Sequence, residues 1–318
     1  MTMIDRLAGA PRIGLGLAAV GRPGYINLGR AHDLPADRTV DAMRARVGEL
    51  LDSAYAAGVR YFDVARSYGR AEEFLAGWLA AHPVGPDVVV GSKWGYTYVG
   101  DWRLDAEVHE VKDHGPATFE RQAGESRALL GDHLDIYHIH SLTPASPALT
   151  DTTLHRRLAE LAGEGVAVGF STSGPSQASV IRAALKVTVG GMPLFRSVQA
   201  TWNPLEPSAG TALAEAHDAG CLVIVKEAMA NGRLAAADGP LAPVAAELGS
   251  TPDAVALAAV LRQPWARIVL SGAATTGQLA ANLAAESLHL TAAHAEQLSA
   301  MAEEPQAYWQ TRSSLPWA

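Results

Sequence analysis

Eight short apolar runs, at residues 12–16, 61–63, 88–93, 135–140, 167–171, 197–201, 222–226 and 267–271, punctuate this 318-residue chain. Stretches with helical spacing alternate with them. From Asp41, the apolar positions Met43, Val47, Leu50, Leu51 and Ala54 recur at i+3 and i+4, and Gly58 is placed to end that helix. Further helical stretches are predicted near 71–81, 117–131, 151–163, 175–187, 206–218, 252–262 and 276–286, with an extra one near 291–303. Eight β and α units in strict alternation, with no composition break that would mark a linker, predict an α/β fold: a closed (β/α)8 TIM barrel over a single domain, 1–318. The length suits a barrel of about 250 residues plus decorations. In such a barrel the chemistry sits on loops at the strand C-termini.

Composition narrows the function classes. No apolar run approaches the roughly 18 residues needed to span a bilayer, and the N-terminus lacks a basic segment followed by an apolar stretch and a cleavage site. The expectation is a cytoplasmic protein with no membrane partner. The net charge of −8 and the lack of a basic cluster argue against nucleic acid. The single cysteine, Cys221, precedes an apolar strand, where a small buried thiol fits better than a reactive one.

Four polar residues fall at or just beyond strand ends: Asp63, Tyr68, Lys93 and His140. Singly, each has a bland reading as a helix cap, a turn residue or a solvated side chain. Their common location at one end of a barrel favours a site. His138-Ile-His140 invites a different reading, since residues two apart on a strand face the same way and a His-x-His pair can form half of a metal site. That alternative, a metal-dependent hydrolase, needs further ligands on later strands.

The pattern Phe62-Asp-Val-Ala-Arg-Ser-Tyr-Gly-Arg-Ala-Glu72, the strand-ending Lys93 and Leu134-Asp-Ile-Tyr-His-Ile-His140 resemble the aldo-keto reductases. Val168-Gly-Phe-Ser171, Val198-Gln199, Asn231-Gly-Arg-Leu234 and the segment Gln278 to Asn282 extend the resemblance over almost the whole chain. It implies a nicotinamide-dependent oxidoreductase that reduces an aldehyde or ketone to an alcohol, or the reverse. Tyr68 is the natural proton donor, and a Lys93 ammonium held by Asp63 is expected to lower the tyrosine pKa toward working pH. His140 is expected to orient the carbonyl oxygen. A cofactor-binding regulatory barrel with weak turnover is the alternative within the same family.

The resemblance also implies cofactor residues. Ser171 and Gln199 match positions that bind the nicotinamide carboxamide, and Thr172 stands where asparagine is usual. Lys226, followed by Glu227, occupies a position that often carries a stacking aromatic; the two are expected either to cover the ring or to pair and face the pyrophosphate loop Asn231, Gly232 and Leu234. Around the eighth strand the family often supplies cations for a 2′-phosphate. This chain has Gly272, Thr275, Gln278 and Asn282. Family precedent therefore implies NADP(H), whereas the neutral loop predicts modest discrimination, with NAD(H) accepted too. The long loop 94–115, with Trp94, Tyr96 and Trp102, and an irregular tail at 303–318 are expected to wall the substrate side. The expected partner is a small carbonyl or alcohol. The sequence leaves the oligomeric state open.

Overall fold

The structure is a computed structural model that describes residues 3–26, 28 and 31–317. Eight parallel strands close into a barrel: β1 Ile13–Gly16, β2 Tyr61–Asp63, β3 Val89–Trp94, β4 Leu134–Leu142, β5 Ala167–Thr172, β6 Ser197–Thr201, β7 Leu222–Lys226 and β8 Ile268–Ser271. Each strand pairs with the next in the chain, and β8 closes onto β1. Helices connect them on the outside, as the alternation of patterns requires.

Strand parity divides the core in two. Tyr61, Val89, Ile136, Leu222, Ile224 and Ile268 form a cluster with Leu7 inside the barrel, whereas Phe62, Val90, Tyr137, Val223, Val225 and Val269 belong to the larger cluster beneath the helices. Side chains two apart on a strand share a face. Asp63, Lys93, His138, His140, Gln199 and Lys226 therefore continue the inward rows, toward the C-terminal mouth. The interior is tight enough to need a glycine: a Cβ at Gly91 would stand 2.3 Å from the Tyr61 hydroxyl oxygen. That clearance lets Tyr61 lie across the barrel and donate to Asp63 Oδ2 at 3.3 Å.

Several segments differ from the sequence expectation. The loop 94–115 contains an antiparallel hairpin, Tyr96–Tyr98 with Glu110–Lys112. The tail is not irregular: Pro305–Ser313 is a helix, with proline in its first turn where the missing N–H costs nothing, and Trp317 then bridges to Ile26. Buried Tyr308 and Trp309 fix that helix to the barrel mouth, a tertiary contact that local patterning does not register. Ala242–Glu247 adds a short helix where none was expected.

Candidate functional site

At the C-terminal mouth of the barrel lies a pocket of about 680 Å³, measured out to solvent, whose lining includes Asp63, Tyr68, Gln199, Lys226, Asn231, Gly232 and Gly272. β2 ends in Asp63, and the following turn carries Tyr68 back over the barrel axis. The Lys93 ammonium bonds the Asp63 carboxylate, donates to Val64 O at 3.0 Å and lies 4.7 Å from the centroid of the Tyr68 ring. Gln199 Nε2 donates to the other Asp63 oxygen at 2.8 Å. His140 meets the Tyr68 ring edge-on, with centroids 5.5 Å apart, and its Nδ1 is 3.4 Å from Ser67 Oγ. Residues from four parts of the chain thus converge on Tyr68.

Electrostatics correct one expectation. Burial, followed by the Asp63 carboxylate, holds the Tyr68 phenol well above its ordinary pKa. The Lys93 charge is offset by Asp63 at contact distance, so it does not draw the phenol down toward neutrality. Burial, then Lys93, Lys226 and Arg22, pushes His140 well below its usual range, which keeps the imidazole neutral. His138 is pushed down to about 3 by burial and Lys93, and its Nε2 lies 2.9 Å from Ser197 Oγ. Among the described residues no group of three or more His, Cys, Asp or Glu is placed to hold a metal ion. His138 therefore belongs to a polar layer inside the barrel.

Beyond β7 the backbone is unusual. Glu227, Ala230 and Asn231 all have positive φ, near 50°, a conformation that side chains other than glycine adopt only under tertiary constraint. The constraint is visible. Arg312, from the helix Pro305–Ser313, grips the Glu227 carboxylate in a two-pronged ion pair, its Nη2 at 2.5 Å, and Thr201 donates to the same carboxylate at 3.0 Å. Burial alone would raise the Glu227 pKa, but Arg312 and Lys226 outweigh it and bring it down to about 2. Lys226 stands 3.6 Å from Glu227 and donates to Thr201 Oγ1 at 2.8 Å. Lys226 thus contacts Glu227 and at the same time lines the pocket. The Asn231 amide donates to Ile26 O at 3.0 Å, tying this loop to the one after β1.

Not every expected residue reaches the pocket. Trp94 is outward by parity, one residue beyond inward Lys93, and is fully buried against Phe119 at 5.1 Å between ring centroids. It packs a helix on the barrel instead of forming a substrate wall. Thr172 is outward for the same reason, its hydroxyl bonded to Gln177 Oε1 at 3.2 Å. Leu234 is wholly buried in the core, and Trp102 packs on Phe74 while its indole N–H donates to Arg38 O at 2.8 Å. Tyr96 does face the site, 5.0 Å from His140. Ser171 accepts from the Ser141 backbone N–H at 2.8 Å.

A smaller pocket, sharing Met229, Gly232 and Gly272 with the first, is lined also by Gln278 and Asn282. Thr275 caps the helix Thr276–Leu283 by accepting from the Gln278 N–H. The Gln278 side chain accepts from Ala274 N and donates to Asp33 Oδ2 at 2.5 Å, and Asn282 lies 2.8 Å from Ser271 Oγ. Local patterning does not single out Asp33, Arg22, Tyr25 or Arg312, which loop packing and the docking of the C-terminal helix bring here. Arg22 is 2% exposed, donates to Glu110 at 2.6 Å and lies 5.5 Å from the Tyr68 ring and 4.7 Å from that of Trp317. Only its pairing across 88 residues to the hairpin reveals it.

Comparison with known proteins places the barrel in a family. The model of the aldo/keto reductase family covers residues 12–303. Over 100 residues the chain is 30% identical to the aldo-keto reductase str7 of Strobilurus tenacellus, a match that spans 31% of this chain and 26% of that relative. The glycerol dehydrogenase AKR11B4 from Gluconobacter oxydans shares the fold at a TM-score of 0.69 and 21% identity, covering 91% and 90% of the two chains. The holo form of the aldo-keto reductase AKR11C1 from Bacillus halodurans does so at a TM-score of 0.67 and 20% identity, covering 92% of each. On the family match across nearly its full length, and on the barrel that carries it, the chain belongs to the aldo/keto reductase family, whose members are carbonyl-acting oxidoreductases.

Proposed function

We propose that the protein reduces an aldehyde or ketone with a nicotinamide cofactor, with Tyr68 as proton donor. The supporting observation is the convergence on Tyr68: a buried, carboxylate-paired Lys93 at its ring face and a neutral His140 at its edge. Burial keeps the phenol protonated at rest, and the Lys93 ammonium against its ring is the group that would stabilise the phenolate once the proton is given up. Neutral His140 donates a hydrogen bond to that oxygen without competing for the proton. Asp63, bonded by Lys93, Gln199 and Tyr61, fixes the ammonium beneath the phenol.

The residues present fit the cofactor. Among the described residues Gln199 Oε1 and Asn231 Oδ1 are buried without a hydrogen-bond partner, and both residues line the pocket. A carboxamide or ribose donor would satisfy such acceptors, whose isolation otherwise costs about 1–3 kcal/mol each. The nicotinamide, when bound, supplies the reducing equivalent. Ser171, Gln199 and Lys226 would hold its carboxamide end, and Asn231, Gly232, Gly272, Thr275, Gln278 and Asn282 the remainder. At the expected 2′-phosphate end, Gln278 is bonded to Asp33, and Arg233 is engaged with Glu303.

Purified protein with NADPH or NADH and a panel of aldehydes, followed by loss of reduced-nicotinamide absorbance, tests the reading. Turnover in the wild type that is lost in Tyr68→Phe supports it. Cofactor binding without turnover on any carbonyl would favour a regulatory barrel.

A further inference from the structure

We propose that Lys226 makes the pocket discriminate between the two redox forms of the nicotinamide cofactor, favouring the reduced, uncharged ring over the oxidised, cationic one. This rests on the pocket being a nicotinamide site. Among the described residues around it, carboxylates are matched to cations pair by pair: Asp63 to Lys93, Glu110 to Arg22 and Glu227 to Arg312. Lys226 is the cation in excess. Its contact with Glu227, at 3.6 Å, is to a carboxylate that Arg312 already grips with two prongs. Its remaining bond, to the Thr201 hydroxyl, is neutral. The side chain is 14% exposed and lines the same pocket as Asp63, Tyr68 and Gln199, so it is poorly screened by water from whatever the pocket holds.

The two redox forms share their adenosine, riboses and phosphates. Contributions from those parts cancel in the ratio of the two affinities, which leaves the ring charge as the difference. A ring close enough to Tyr68 to react must occupy this pocket, within range of Lys226. Two like charges a few ångströms apart, at the effective dielectric of a partly buried site, change an equilibrium by about ten-fold or more. Because coupling is reciprocal, a pocket that disfavours the oxidised ring loads preferentially with the reduced form and shifts the redox equilibrium of the bound cofactor toward that form. Burial lowers the Lys226 pKa to about 8, with Glu227 opposing and Arg312 and Lys93 reinforcing the shift, so its charge can be removed without a mutation. The groups facing it are Glu227 on its own strand end, His140 from β4, Lys93 and Asp63 from β3 and β2, Tyr68 across the pocket, Arg312 and Trp309 from the C-terminal helix and Thr201 from β6.

The test is titration of the intact protein with NADPH, NADP+, NADH and NAD+ by fluorescence quenching, giving the ratio of oxidised to reduced dissociation constants. At pH 7, Lys226→Met is expected to lower that ratio by about ten-fold or more, and Lys226→Arg to leave it within about two-fold. In the wild type the ratio is expected to fall as pH rises from 7 to 9.5, while in Lys226→Met it stays flat, which separates Lys226 from Lys93. A wild-type ratio independent of pH, or a Met variant that binds both forms at the wild-type ratio, overturns the inference and leaves the nicotinamide site standing. If the Met variant fails to fold, the wild-type pH series alone decides. A wild type that binds neither form overturns both the site and the inference.

Discussion

The Lys93 ammonium lies against the face of the Tyr68 ring, 4.7 Å from its centroid, and is bonded to Asp63 and to the Val64 carbonyl. The cation is thus locked before any substrate arrives. Its effect on the phenol is offset by Asp63 at rest, and in the proposed role of Tyr68 as proton donor it would stabilise the phenolate charge that develops.

Tyr68→Phe should lower turnover by at least about 100-fold, the scale for losing a positioned general acid, while cofactor affinity and the unfolding midpoint stay near wild type. Lys93→Met should be comparably damaging to turnover. Steady-state kinetics beside cofactor titration separates the two effects, and a Phe variant with near wild-type turnover removes Tyr68 from the chemistry.

Cofactor choice should be loose. With Gly272 and Gln278 where a cation is expected, the loop after β8 forgoes a charge-assisted hydrogen bond of about 1.5–3 kcal/mol, so NADPH should be preferred over NADH by less than about 100-fold. Dissociation constants for both cofactors check this, and a wild-type preference far above 100-fold would refute the loop chemistry.

Arg312→Ala should destabilise the fold by about 2–4 kcal/mol, because it leaves the Glu227 carboxylate buried with only Lys226 and Thr201. The range sits slightly below that for a fully buried pair because the Arg312 side chain is 22% exposed. Adding Glu227→Gln should recover part of the loss. Denaturant unfolding of the four members of this cycle measures the coupling, and additive losses would show that the pair is not a latch.

Stability should fall on acidification, beginning below about pH 6.5. His138 and His114 are held down to about 3 and about 4, each chiefly by burial, and Glu227 to about 2 by Arg312 and Lys226 against its burial. All three folded pKa values lie below the unfolded ones, so the unfolded chain binds more protons in the window between them and stability rises with pH there. The histidine contributions are complete above about 6.5 and the Glu227 contribution above about 4.5. For His138 the loss at pH 4 should be roughly 2–4 kcal/mol. Melting curves of the wild type and His138→Gln between pH 7 and 4 should converge as pH falls. Parallel curves would show that His138 does not titrate this way.

Trp94→Ala should lower stability by about 3–5 kcal/mol and leave the relative rates on different carbonyls unchanged, because the indole fills the space between barrel and helix. Tyr96→Ala, by contrast, should alter those relative rates, since its ring stands 5.0 Å from His140. A change in substrate ranking for Trp94→Ala alone would reverse the assignment.

The barrel was legible in the chain because strands buried on both faces must be apolar and helices between them must be amphipathic, and both requirements are written in local periodicity. Asp63, Lys93 and His140 were legible as polar residues that interrupt apolar runs where burial would otherwise forbid them. The same parity that turns Lys93 inward turns Trp94 outward, so that correction was within reach of the sequence. The latch of Arg312 on Glu227, the seating of Arg22 under Trp317 and the bond from Gln278 to Asp33 were not. Each joins residues 85, 295 or 245 positions apart through long side chains on loops or a terminal helix. Which distant charges meet is decided by how loops pack over a finished barrel, and no local period records it. The pKa of Tyr68 belongs with these, because desolvation and paired charge are properties of the assembled pocket and not of a tyrosine followed by a glycine.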